Sequence, residues 1–389
     1  MARERVYLDW NATSPLLPAA RDALVEAMEA FGNPSSVHAE GRRARAMVEE
    51  ARASVASLVG VSSGGVTFTS CGTEAANLAL SPSFVRAGER PHDLLFISAG
   101  EHACVLEGNR FRADQTRVVP VTPSGVVDLR ALAAMLDEAG GARVMLALQA
   151  ANNETGAIQP VRAAADMVHA RGGVVVCDAV QAAGRMSCLA GPLGADAIIL
   201  SAHKIGGPKG VGALALASGD ADIEERVLRG GGQERGMRAG TENVAGVVAF
   251  GVAADWAARS CGVEATRLAV LRDDLESRLV RVVPGLTVFS ADVERLPNTS
   301  AVAAPGAAAA TMLIGLDLEG FAVSSGSACS SGKVKTSHVL AAMGVAPDIA
   351  AGAVRVSLGR TTVAADVERF ADAFARVAGR VLERRRSAA

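Results

Sequence analysis

Residues 324 to 337, SSGSACSSGKVKTS, set one cysteine among small polar residues and follow it with Gly332 and Lys333. A Walker phosphate loop needs four residues between its glycines and a Ser or Thr after the lysine, whose hydroxyl reaches Mg²⁺. Five residues separate Gly326 from Gly332, and Val334 follows Lys333, so the phosphate-loop reading fails on spacing and on chemistry. Cys329 remains as a candidate nucleophile, reactive as its thiolate. The other cysteines (Cys71, Cys104, Cys177, Cys188, Cys261) are scattered, with no C-x-x-C pair, and read as small buried hydrophobes. Serine and glycine neighbours offer Cys329 no such apolar burial.

Lysine usage singles out a second group. Of the 39 basic residues only Lys204, Lys209, Lys333 and Lys335 are lysine, and all lie in AHKIGGPKG or SGKVK. Arginine covers the rest of the surface, so a retained lysine suggests a need for an amine, because a guanidinium cannot form a Schiff base. Lys204 follows the apolar run AIILS, together with Ser201 and His203. Asp178 ends the run VVVCD, with Gln181 three residues on. In VTFTSCGTEAANLAL, the backbone N–H groups of Gly72 and Thr73 and the Thr73 hydroxyl form a candidate anion site at a helix start. Each signal has a bland alternative: a surface lysine, a helix-capping Asp, an ordinary N-capping Thr. A Schiff-base lysine, a carboxylate for a pyridinium nitrogen and an anion site are together the protein's share of pyridoxal phosphate chemistry.

These residues need a scaffold that gathers strand ends. Between about 66 and 216, VTFTS, LLFIS, RVVPV, RVMLALQ, VVVCD, AIILS and VGALAL alternate with helical patterns, which predicts a mostly parallel, covered sheet of seven strands. Such sheets bind ligands outside the carboxyl ends of their strands. An alanine-rich helical pattern follows over about 241 to 282, then LTVFS, TSAVA and AVRVSL, read as a smaller α+β unit. At 389 residues the chain suggests two domains, placed at 15–258, and at 1–14 with 259–389. Half the residues are hydrophobic and net charge is −2, which argues against nucleic acid and anionic membranes as partners. No signal-peptide pattern opens the sequence, so a soluble, cytoplasmic protein is expected.

The ordered motifs YLDWNATSP, FGNPSSVHAEGR, FTSCGTE, EHACVL, NNETGAIQP, CDAVQ, SAHKIGGPKG, GGGQERGMRAGTEN, SSGSACSS and VRVSLGR resemble those of cysteine desulfurases of the NifS/IscS type, fold-type I pyridoxal phosphate enzymes of the class V aminotransferase-like group. The resemblance spans nearly the whole chain. It implies that Lys204 holds the cofactor and shuttles the substrate's Cα proton, that Asp178 keeps the pyridine nitrogen protonated, that Gln181 bonds the ring oxygen and that His102 stacks on the ring. Gly72, Thr73, Ser201 and His203 would hold the phosphate, with Thr241 reaching across from the partner of an obligate homodimer. Asn153 and Arg355 would orient the carboxylate of L-cysteine, with Arg360 as the rival arginine, read as structural. Cys329 would take the substrate sulfur as a persulfide, with His102 as acid/base partner, leaving alanine, and pass the sulfur to an iron–sulfur scaffold protein or a thiolation acceptor. Cys71 is expected to be structural. No metal is expected, since His102 and Cys104 supply too few zinc ligands.

Selenocysteine lyase and cysteine sulfinate lyase are the rivals within the class, and an aminotransferase is disfavoured because transamination needs no thiol. A cofactor-free Cys-His acyl-transfer enzyme built on Cys329 and His102 would leave Lys204 and Asp178 without a role.

Overall fold

A computed structural model describes residues 5–325 and 337–388; Cys329, Lys333 and Lys335 lie outside the described residues. After a two-residue strand β1 (Val6–Tyr7) come β2 (Val66–Thr69), β3 (Leu94–Ser98), β4 (Thr116–Val119), β5 (Val144–Ala147), β6 (Val174–Asp178), β7 (Ala197–Ser201) and β8 (Gly212–Leu216). The last seven form one sheet in the order β2-β8-β7-β6-β5-β3-β4. Strand β8 runs antiparallel to both neighbours, and every other pairing is parallel. Side chains alternate across the sheet: Leu146, Val175 and Ile198 join the core on one face, Met145, Val176 and Ile199 the core on the other. Strands β5, β7 and β8 are buried at every residue, which is why their sequences are near-continuous apolar runs.

Helices α1 (Pro18–Met28), α2 (Ala39–Val59) and α3 (Gly72–Ala79) cover this sheet. His38 Nδ1 caps the start of α2 by accepting the Gly41 N–H, and Gly60 ends it in the left-handed conformation, φ 68°, where glycine carries no Cβ penalty. Because β2, β3, β5, β6 and β7 share one direction, Thr69, Ser98, Ala147, Asp178 and Ser201 reach the same sheet edge. The polar residues that follow those strand ends converge there.

The 39-residue helix α4 (Val244–Val282) begins at Asn243, whose side chain accepts the Gly246 N–H. Its first half packs Phe250, Ala253, Ala254 and Ala257 onto the large sheet. Its second half packs Leu268, Leu271, Leu275 and Leu279 into a second core. By length and composition α4 could cross a bilayer, yet these apolar residues are committed to two protein cores.

The second core is built on a three-stranded antiparallel sheet of β9 (Thr287–Val288), β10 (Thr299–Ala303) and, beyond the strand β11 (Phe321–Ala322), β12 (Ala353–Ser357). Phe370 and Phe374 of the last helix, α5 (Ala364–Ala388), are fully buried in it. Burying such a ring stabilises by roughly 1.5–3 kcal/mol, so truncating Phe374 would strike the centre of this core. Strand β1 pairs with β11, Val6 opposite Phe321. The N-terminal segment is thereby pinned to the second core before residues 11 to 14 cross to the edge of the first.

Candidate active site

A cavity of about 300 Å³ opens at the carboxyl edge of the large sheet. Its β2–α3 corner is shaped by absent side chains. A Cβ on Gly212 would lie 2.4 Å from the Cys71 carbonyl carbon, and one on Gly72 would lie 3.1 Å from Val180 Cγ2. Cys71 is extended and no side chain caps α3, so the first N–H groups of the helix are left for a ligand, and an anion suits them. Glu74, in the same turn, is ionised: burial raises its carboxyl, but hydrogen bonds from Arg238 and Ser70 outweigh burial and hold it below the usual range; its charge is offset by the Arg238 guanidinium at 3.0 Å.

Across from this turn, β7 runs into a single 3₁₀ turn carrying His203 and Lys204. Lys204 Nζ donates to the carbonyls of Asn11 at 2.6 Å and Ala12 at 2.9 Å. Burial, then the charges of Lys204, Lys209 and Arg185, push His203 down to about 4, so its ring is neutral at pH 7; Nδ1 lies 3.1 Å from Thr13 Oγ1. Asp178 ends β6 beneath the cavity. It accepts the Val180 N–H at 2.8 Å, and burial raises its carboxyl despite that bond and the charges of His102 and Lys204. A carboxyl so placed favours a proton-bearing partner, as a pyridinium nitrogen would be. Gln181 donates Nε2–H to the Asn11 carbonyl at 3.0 Å and accepts from Arg185 Nη1 at 2.5 Å. Glycine-lined anion turn, lysine amine and sheltered carboxyl fit pyridoxal phosphate.

His102 caps the short helix Ala103–Leu106. Its Nδ1 accepts the Cys104 N–H at 3.2 Å and lies 3.0 Å from Cys104 Sγ. A backbone donor at Nδ1 places the proton of the neutral ring on Nε2. Burial, followed by Asp178 and Glu101, pushes the Cys104 thiol up. Cys104 is therefore held as a thiol and is a poor nucleophile.

The other end of the cavity is built on Arg355. Its Nη1 donates to the Asn153 carbonyl at 2.9 Å and its Nη2 to Asp9 Oδ1 at 2.7 Å. Its Nε is buried without a partner among the described residues. Asn153 and Ser324 line the same wall. Arg360 lies outside this cavity, donating to the carbonyls of Pro15 and Leu16 and sitting 5.3 Å from the Trp10 ring.

The cavity thus gathers Gly72, Thr73, His102, Asn153, Asp178, Gln181, Ser201, His203, Lys204 and Arg355. Cys71 also lines it. Thr241 lies elsewhere within its own chain, in a separate cleft with Ser70 and Arg238. Sequence reasoning assigned no role to Asp9, Asn11, Ala12, Glu101, Gln149, Arg185 or Ser324. Asn11 and Ala12 act through backbone carbonyls, which leave no residue-type signal. Arg185 had one: a basic residue in the apolar stretch AVQAAGRM, held by the carbonyls of Gln181 and Trp10.

The sequence pattern of the class-V aminotransferases matches residues 6–370. A cysteine desulfurase of Cereibacter sphaeroides is 39% identical, covering 94% of each chain. The cysteine desulfurase IscS of Dictyoglomus turgidum is 36% identical, over 97% of this chain and 95% of that one. Among solved structures, a NifS-like protein from Rickettsia africae superposes with a TM-score of 0.86 at 33% identity, over 96% of this chain and 99% of that one. Similarity at this level over nearly the full length of each relative shows that the chain belongs to the class-V aminotransferase family, in its cysteine desulfurase group.

Proposed function

We propose that the protein is a pyridoxal phosphate-dependent cysteine desulfurase that takes sulfur from L-cysteine, releases L-alanine and carries the sulfur as a persulfide on Cys329. The observation that carries this reading is the single cavity in which Lys204 and Asp178 meet Arg355. An amine, a sheltered carboxyl and a carboxylate-binding cation are what an amino-acid substrate and this cofactor require. Bound there, the cofactor supplies an electron sink next to the substrate's Cα.

The residues supply the rest. Lys204 anchors the cofactor covalently and moves a proton at Cα; Asp178 holds the proton of the ring nitrogen; His102 and Gln181 orient the ring. Gly72, Thr73, Ser201 and His203 receive the phosphate, and Arg355 with Asn153 orients the carboxylate. The Cys329 thiolate forms an S–S bond to the substrate sulfur as the substrate's Cβ–S bond breaks. L-cysteine and the enzyme thiol thus become L-alanine and the enzyme persulfide, with no outside oxidant. The persulfide then passes its outer sulfur to an acceptor, an iron–sulfur scaffold protein or a thiolation partner.

Two further parts of this reading concern assembly. Thr241, outside its own chain's cavity, completes the site of a partner in a homodimer. The chain divides into 15–258 and 1–14 with 259–389, a division supported by the two cores that share α4.

The deciding experiment is conversion of L-cysteine with a reductant present: alanine and sulfide should appear in equal amounts. Cys329→Ala should retain the yellow cofactor spectrum and release almost no sulfide. A yellow Cys329→Ala protein that makes sulfide at the parental rate would refute the mechanism. For the dimer, Lys204→Ala and Thr241→Ala chains are mixed. Recovered activity places Thr241 across the interface, and none returns if it acts within its own chain.

A further inference from the structure

We infer that Ser324 is a further donor to the substrate carboxylate, beside Asn153, completing with Arg355 Nε a site for the α-carboxylate of a free amino acid. This rests on the amino-acid substrate proposed above and deepens it.

Arg355 alone is a compromised carboxylate receptor. Each of its Nη atoms already has an acceptor, Asn153 O and Asp9 Oδ1. The Asp9 carboxylate, at 2.7 Å in an ion pair, also offsets much of the charge that an incoming anion would meet. What Arg355 retains without a partner among the described residues is Nε. A planar guanidinium normally holds a carboxylate through two adjacent donors, so a site in which one donor is open gains from a second group.

Ser324 is placed to be that group. Its N–H donates to the Arg355 carbonyl at 3.2 Å, and the Arg355 N–H donates to the Ser324 carbonyl at 2.6 Å. The two residues are therefore an antiparallel bridge pair, directly opposite each other, and such pairs project their side chains to the same face with Cβ atoms about 5 Å apart. Both line the cavity. Ser324 is 4% exposed, and its hydroxyl, like Arg355 Nε, is buried with no partner among the described residues. Buried polar groups are seldom left unpaired. Two of them, in register on one wall of one cavity, share a ligand, and a carboxylate with two acceptor oxygens satisfies both. The site selects free α-amino acids over the corresponding amines.

The test compares L-alanine with ethylamine, which is alanine without its carboxylate, by calorimetric titration of the holoenzyme. Ser324→Ala should weaken L-alanine binding about tenfold, as expected for a hydrogen bond to a charged group, and leave ethylamine binding and the cofactor spectrum unchanged. Ser324→Thr, which keeps the hydroxyl, should restore most of the affinity. Unchanged L-alanine binding in Ser324→Ala overturns the assignment; so does an equal loss for ethylamine, or a parent enzyme that binds L-alanine no better than ethylamine. Failure of the parent to make sulfide from L-cysteine would instead count against the desulfurase reading, and the alanine–ethylamine comparison would still decide the role of Ser324.

Discussion

The two ends of the cavity are built in opposite ways. At the cofactor end, Lys204 rests on two carbonyls, Gln181 makes two hydrogen bonds through its side-chain amide and His203 meets Thr13. At the substrate end, Arg355 Nε and Ser324 Oγ are buried without a partner among the described residues. An end whose groups already hold one another keeps its shape between turnovers. An end with unmade bonds gains most when the substrate arrives, and discriminates best against molecules that cannot make them. A resident cofactor suits the first arrangement, and a transient substrate the second.

Breaking the cofactor end should have the largest effect. Lys204→Ala should lose the visible cofactor absorbance and at least about 10³-fold in kcat, since in the proposed mechanism it removes both the covalent anchor and the Cα base. Arginine should not rescue it; normal cofactor colour in Lys204→Ala would sink the assignment. Asp178→Asn should keep some cofactor and lose about 10²-fold or more in kcat. A loss of less than about tenfold, about 1.4 kcal/mol of barrier, would contradict its role.

At the substrate end the signature should move from kcat to KM. Arg355→Ala should leave the cofactor spectrum intact and raise KM for L-cysteine about a hundredfold. It should also lower stability by about 1–3 kcal/mol, because the partly buried Asp9 would lose its cation. Urea unfolding and steady-state kinetics check the two halves of this expectation. Equal losses in cofactor binding and KM would erase the distinction between the ends.

A pH scan sharpens it further. Above pH 6.5, the ordinary histidine value, His203 is neutral both folded and unfolded, and its contribution to stability is constant. Between 6.5 and about 4 only the unfolded chain takes up the proton, so stability falls as pH falls through that window. His92, also pushed down to about 4 by burial and then by Arg143, adds the same trend far from the cavity. In apoprotein melting curves, His203→Asn should remove part of the acid-side decline and leave the part due to His92. A decline unchanged in His203→Asn would mean that this ring is not buried in neutral form.

The smallest effect is expected at Cys104. The backbone N–H of Cys104 already meets His102 Nδ1, so Cys104→Ser should change kcat less than about threefold, within the range of conservative substitutions. A larger loss would bring this thiol into the chemistry.

The cofactor end was largely legible in the sequence because each of its parts is a short contiguous pattern. A strand run ends in Asp178, another ends before Lys204, and a strand, a glycine turn and a helix surround Thr73. Strand ends in a parallel sheet converge on one edge, so local patterns were enough to group these residues. Arg355 was placed by its motif, but the state of its nitrogens was not readable. Ser324 was visible only as one more serine before Cys329, and Cys329 lies outside the described residues.

By itself the sequence determined the alternation of seven strands with helices, the residues that close each strand and the amine–carboxylate pair, since these follow from apolar periodicity and local turn chemistry. Tertiary structure alone decided which groups restrain and charge-balance them. Lys204 is held by Asn11, 193 positions away, and Arg355 by Asp9, 346 positions away. Both contacts exist because β1 is pinned to β11, which sets Asp9 beside β12 and lets residues 11 to 14 cross to the edge of the large sheet. Backbone carbonyls and partners so distant leave no periodic trace in the chain, and which hydrogen bonds are made or left open is settled only when the two cores close on each other.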